Sequence, residues 1–206
     1  MMKKLLAALM LLGLSSAAQS QEKGGFELGT TVGYNLSTVT SGSQTNSHYR
    51  SGFNVTVFGD YFFSNRWSIK TKLSYDQKGW DNGYIENLDN NQRSPTNYHI
   101  NYLTVPVMAN WHFGKKRNWF LNFGPYAGFV LSAKETTFNM DLKEHLKTAD
   151  IGLGLGIGVK IPVANRLKIL LESDGQASFV DIFKDNTGSE IQNSRSSLNA
   201  GLVFEL

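Results

Sequence analysis

The sequence contains no cysteine, which excludes a disulfide framework, a cysteine-based metal site and an acylated lipoprotein N-terminus. Proline is scarce as well, at four residues. No run of about eighteen apolar residues occurs beyond the N-terminal segment, so membrane helices are excluded. Membrane strands are not, because their signal per segment is much weaker. An excess of one charge is missing too. Lys and Arg number 20 against 17 Asp and Glu, and Lys3 and Lys4 account for two of the three surplus cations. No concentrated basic face is visible, and no nucleic-acid partner is expected.

The N-terminus is a unit of its own: Lys3 and Lys4, an apolar run from Leu5 to Leu14, then small and polar residues through Ser20. That order is the basic, apolar and small-residue order of a secretory signal. Its apolar run is too short to span a bilayer as a helix. Residues 1–20 are therefore expected to be a signal peptide cleaved after Ser20, leaving residues 21–206 as one exported domain.

What is abundant is alternation. From Ile151 to Ile161, Ile151, Leu153, Leu155, Ile157, Val159 and Ile161 alternate with Gly152, Gly154, Gly156, Gly158 and Lys160. A strand sends successive side chains to opposite faces, so this one has an aliphatic face and a face almost without side chains. Glycine is a poor strand former in water, and such a pattern suits a barrel wall with lipid on one side and a filled interior on the other.

Seven more alternating stretches complete a set of eight. Phe26, Leu28, Thr30, Val32, Tyr34 and Leu36 form one apolar face, and Phe53, Val55, Val57, Gly59 and Tyr61 the next. Trp67, Ile69, Thr71, Leu73 and Tyr75 lie opposite Ser68, Lys70, Lys72, Ser74 and Asp76. Lysines at alternate positions of such a strand must point away from lipid. Leu103 to Phe113 follows; Pro106 within it predicts a local distortion, since it cannot donate to a ladder. Trp119 to Leu131, Leu167 to Leu171 and Leu198 to Leu206 supply the rest. Faces are hardest to assign in Trp119–Leu131, where both sides are apolar.

The connections alternate long and short. Polar stretches at 37–51, 77–97, 132–148 and 177–195 read as long loops, the third with a helical turn around Met140 to Lys147. Ser64–Arg66, Gly114–Asn118 and Pro162–Asn165 read as tight turns. The expected fold is all-β: an eight-stranded antiparallel up-and-down transmembrane β-barrel with short periplasmic turns and four long extracellular loops. Aromatic residues near both ends of the strands fit two interfacial girdles.

Tyr102-Leu103-Thr104-Val105-Pro106-Val107, Gly124-Pro125-Tyr126-Ala127-Gly128 and the glycine-alternating strand resemble the PorT-like outer-membrane β-barrel family, common in the Bacteroidetes. The likeness spans essentially all of the exported chain. It implies a cell outer membrane location. The family is broad; its namesake is implied in the assembly of a protein-secretion system, and nothing in this chain singles it out for that role.

With these faces the lumen receives Glu27, Asp60, Asp76, Glu172, Asp174 and Glu205 together with Lys70, Lys72, Lys160 and Lys168. Such charges can pair into a solid polar core or line an ion path; eight strands leave an interior that side chains can fill, which favours the core. The histidines His48, His99, His112 and His145 have no metal-ligand spacing, and neither a metal nor a cofactor is expected. A hydrolytic set could be drawn from His99 with Ser94, Asp150 or Asp181, but such combinations arise easily in polar loops. No phosphate-binding sequence is present, because the glycines alternate within a strand and open no helix.

The expected function is therefore non-catalytic: a barrel that anchors surface loops in a structural, adhesion, or envelope- or secretion-assembly role. The alternatives are a lipid- or peptide-hydrolysing barrel enzyme, a small pore, and a soluble ligand-binding barrel with its aliphatics turned inward. Expected partners are outer-membrane lipid, the barrel-insertion machinery that reads the apolar tail at Phe204, and other envelope or secretion-system proteins. A monomer is expected.

Overall fold

The computed structural model describes residues 23–42, 46–87 and 92–206. The expected signal peptide and its cleavage point lie outside these residues. Eight strands follow one another: β1 (Phe26–Ser41), β2 (His48–Phe62), β3 (Trp67–Asn87), β4 (Gln92–Phe113), β5 (Trp119–Glu135), β6 (Ala149–Ala164), β7 (Leu167–Ser178) and β8 (Ile191–Glu205). Each is antiparallel to its sequence neighbour, and β8 returns to β1 from Glu27–Glu205 up to Ser41–Ile191, closing the barrel. Closure leaves no sheet edge along this wall, which matters in lipid because no water is available to satisfy a free edge.

The aliphatic faces point outward. Leu153, Leu155 and Ile157 on β6 are 51%, 58% and 47% exposed, while the glycines between them face inward. This excludes a soluble barrel with inward aliphatics, since a continuous exposed apolar belt of this kind is not sustained in water. The belt is bounded at the short-turn end by Trp67, Trp111 and Trp119 and toward the far end by Tyr34, Phe53, Tyr75 and Phe129. On β5 the ambiguous faces resolve with Phe120, Asn122 and Tyr126 inside and Phe123 and Phe129 outside. Among the described residues no helix is long and apolar enough to cross a membrane.

One expectation is corrected and two are made more definite. First, the stretches 37–51 and 77–97 are mostly strand: β1 runs to Ser41, β2 starts at His48, and β3 and β4 pair from Gly83–Thr96 to Asn87–Gln92. The loop at 177–195 likewise shortens to 179–190. Outside the membrane both faces of a strand meet polar surroundings, so the apolar contrast that marks a strand fades while the pairing continues. Second, the distortion expected at Pro106 is a gap in the paired ladder, between Thr71–Val107 and Ser74–Thr104 toward β3 and between Pro106–Tyr126 and Ala109–Phe123 toward β5, without a shift of register. The register shift falls at Asn101/Tyr102, where Leu131 is the extra residue on β5. Third, the helical turn is one 3₁₀ turn, Lys143–His145.

Candidate functional site

The interior is stacked in tiers of ion pairs. Nearest the short turns, Lys160 on β6 donates to Glu27 on β1 and to Asp60 Oδ2 on β2 at 2.8 Å, and Lys168 on β7 donates to Glu27 Oε1 at 2.7 Å. Lys168 also lies 3.0 Å from Glu205. His112 is fully buried beside them, its Nε2 2.9 Å from Ser68 Oγ. Inward positions of strands that are not neighbours in the ring meet across a narrow lumen, which is why residues so distant in sequence can pair.

In the middle tier Lys70 is fully buried between the rings of Phe58 and Phe120, 4.5 Å from each centroid, and reaches Glu172 Oε2 at 3.4 Å. Glu172 also accepts from Lys72 at 2.9 Å and from Asn122 Nδ2 at 2.5 Å. Arg195 bridges Asp174 at 3.2 Å and Asp76 at 3.6 Å. Asp76 in turn accepts from Asn35 Nδ2 at 2.8 Å, and Asn54 links Asn35 to Asn199 and Ser197.

Above these, Lys78 donates to Asp150 Oδ2 at 3.0 Å, with its ammonium 4.7 Å from the Tyr126 ring and 5.0 Å from the Tyr102 ring. Asn193 donates to Tyr102 Oη and to Asp150. A burial of this depth is tolerated only because each charge has an opposite partner and further hydrogen bonds.

Over the charged tiers sits an apolar cap. Val39, Trp80, Tyr98, Ile100, Val130, Ala133, Leu142, Leu146 and Ile182 form one buried cluster, drawing on strands and on the loops 136–148 and 179–190. Trp80 and Tyr98 stack at 4.2 Å, and Phe183 meets both rings edge-on. The loop 136–148 is anchored by Glu135. Its carboxylate accepts from the backbone of Thr137 (2.7 Å), Phe138 (2.9 Å) and Met140 (2.8 Å) and from the Thr96 hydroxyl (2.8 Å). Burial opposes the charge, but these donors, Met140 and Thr96 foremost, outweigh it and hold the carboxyl below its ordinary range.

All ten charged residues assigned to the lumen from the sequence face it, with Glu205 at the rim. Lys78 and Arg195 were missed because they fall in stretches read as loop, and Asp150 because it lies just before the strand expected from Ile151. Continuing the even-numbered parity of Lys70 and Lys72 would have found Lys78. The hydrolytic combination does not come together. His99 points outward from β4, Asp150 points into the lumen, and Asp181 is tied to the Phe183 amide and to Asn186. His99 is held below its ordinary pKa, first by partial burial and then by Arg50, against Asp81. No cluster of three His, Asp or Glu suited to a metal occurs among the described residues.

The glycine face of β6 makes room for side chains of the neighbouring strands. A methyl at Gly156 would lie 2.7 Å from Asn122 Oδ1 and 3.1 Å from Glu172 Oε1, and one at Gly158 would meet the Phe120 ring and, at 2.5 Å, the Leu171 carbonyl. The space is thus filled by Phe120, Asn122 and Glu172. At Gly154 only the terminal Cε of Met108 comes near, at 3.1 Å.

This architecture is shared with known outer-membrane proteins. The chain superposes on OprG from Pseudomonas aeruginosa with a TM-score of 0.58 at 8% identity, covering 91% of this chain and 98% of that one. It superposes on Neisserial surface protein A with a TM-score of 0.50 at 14% identity, over 87% and 97% of the two chains. AlkL, solved in DMPC lipid bilayers, gives 0.50 at 7% identity, over 90% and 91%. At such identities the likeness is one of fold. No curated protein matches the sequence at a significant level. Residues 17–184, by contrast, match the family described as outer membrane protein beta-barrel domain. With eight strands closed around paired charges and an apolar belt turned outward, the chain belongs to this outer-membrane β-barrel family, and its place is the outer membrane.

Proposed function

We propose that the protein is a closed, non-catalytic barrel that holds the loops at its far end on the cell surface, in a structural, adhesive or envelope-assembly role. The observation that carries this reading is the filled interior, with paired charges through the membrane and an apolar cap above them. A filled interior of this kind speaks against a path for solute. What the barrel offers is surface: the extended β3–β4 hairpin and the loop 136–148 present Tyr84, Phe138 and Met140, each about half exposed, above the lipid belt. The short turns then face the periplasm. Membership of the PorT-like branch is supported by the Tyr102–Val107 motif, whose Tyr102 and Thr104 serve the polar interior.

The reading is tested by placing a photo-crosslinking residue at Tyr84 or Phe138 in intact cells, with Leu198 on the lipid-facing wall as control. Defined protein or glycan adducts at the loop positions and not at Leu198 are expected. Adducts at neither would leave a freestanding barrel, and a hydrolytic activity lost in His99→Ala would replace the reading with an enzyme.

A further inference from the structure

The outer face of β2–β5 changes character in steps as it leaves the lipid belt. Its last aromatic row holds Tyr75, Leu103 and Phe129 at paired positions, with Phe53 against Tyr75 at 5.9 Å. One step higher lie Gln77, Asn101 and Ser132, on consecutive strands and paired in register. Asn101 Nδ2 donates to Ser132 Oγ at 2.9 Å, and Gln77 Oε1 accepts from the Phe53 amide. Another step up, His99 stands opposite Lys134 on one side and Gly79 on the other.

Gly79 takes a φ of +127°, and a methyl there would collide with the Tyr98 carbonyl. Its bare surface is covered by Arg50 from β2, whose Cδ comes within 3.4 Å of where that methyl would be and whose Nη1 donates to the Lys78 carbonyl at 3.2 Å. Arg50, His99 and Lys134 therefore form one outward-facing row, cationic at Arg50 and Lys134, with the paired His99 and Lys134 about 5 Å apart at Cβ. Asp81 lies beside Arg50 and His99 and balances part of this charge.

Aromatic, amide and cationic rows, in that order away from the membrane, match the order of an anionic lipid: acyl chain, polar or sugar linkage, phosphate. Arginine in a planar fork and lysine as a point charge are the usual phosphate partners. We propose that this wall binds the phosphorylated headgroup of an outer-leaflet glycolipid, with Arg50 and Lys134 on phosphate and Asn101 and Gln77 on the polar linkage. The site rests on the proposed orientation, in which the far end faces outside.

The test uses the full chain folded in detergent, checked by heat-modifiable migration, and native mass spectrometry with bisphosphorylated lipid A and the same glycolipid dephosphorylated. A preference of about tenfold or more for the phosphorylated form is expected, the size of one lost charged hydrogen bond. Lys134→Ala, at an exposed side chain, should erase most of the preference. Arg50→Ala should do the same if it folds, and Lys143→Ala, on the loop, should not. Equal retention of both lipids would overturn the proposal, as would a preference untouched by Lys134→Ala. Displacement by millimolar inorganic phosphate would make this a plain anion site and also overturn it. Orientation is read separately: the chain has no cysteine, so a single Thr187→Cys should label from outside intact cells. Labelling only from the periplasm would sink the orientation and overturn the outer-leaflet assignment with it, even where the phosphate preference in detergent is intact.

Discussion

Lys70 shows how a charge can be kept in a membrane-embedded core. Two phenyl rings flank it and one carboxylate, Glu172, serves both it and Lys72. The two partners are therefore unequal. Glu172→Ala strands a fully buried lysine and should cost about 3–5 kcal/mol. Lys70→Met leaves Glu172 paired with Lys72 and fills the space between the rings, so it should cost at least about 2 kcal/mol less. Urea unfolding in detergent or lipid would rank them; equal losses would mean that the rings, and not the carboxylate, hold Lys70 in place. The β6 glycines allow a similar contrast. Gly158→Ala pushes against the Leu171 carbonyl and the Phe120 ring and should lose about 1–3 kcal/mol, whereas Gly154→Ala meets only a flexible Met108 terminus and should be close to neutral. Similar unfolding midpoints for the two variants would contradict this packing.

At the scale of elements, the far end is a small core of its own on top of the membrane barrel. Trp80 links the β3–β4 hairpin to the loop 179–190 through Tyr98 and Phe183. Trp80→Ala should expose Lys184 to trypsin while the membrane strands keep their heat-modifiable fold. Simultaneous loss of both would show that cap and barrel form one cooperative unit. The loop 136–148 depends on an ionised Glu135. Because its folded pKa lies below the ordinary value, the anchoring is complete above the unfolded pKa and is lost as pH falls through the folded one. Glu135→Gln mimics the acid form at neutral pH and should speed tryptic cleavage at Lys143 by about tenfold; unchanged cleavage would mean that the backbone donors are dispensable.

How much of this is legible from sequence follows the membrane. Between the aromatic rows, one face of each strand meets lipid and the other a polar interior, so alternation reveals strand, register and face together, and the lumen charges from Glu27 to Glu205 can be read off. Beyond the rows that contrast vanishes. Gln77, His99 and Asn101 face outward and Lys78 and Asn193 inward, and nothing local separates them from loop residues. Strand ends, the ion pairs of Lys78 and Arg195, and the apolar cap were hidden for that reason. Partner choice within the lumen was hidden for another: it depends on shear, which brings Lys160 across to Asp60 and Glu27, and no one-dimensional pattern encodes shear.

The molecule as a whole is a barrel whose interior carries Lys70, Lys72, Lys78, Lys160, Lys168 and Arg195 against Glu27, Asp60, Asp76, Asp150, Glu172, Asp174 and Glu205, a near balance of sign with direct pairing throughout. Closure is thus a property of the entire ring of strands, and single-channel recording of the full chain in planar lipid bilayers examines it most directly. A barrel filled and capped in this way should insert and remain silent, with no unitary steps at either polarity. Regular, reproducible openings from folded wild-type protein would contradict the closed interior and make the protein a pore.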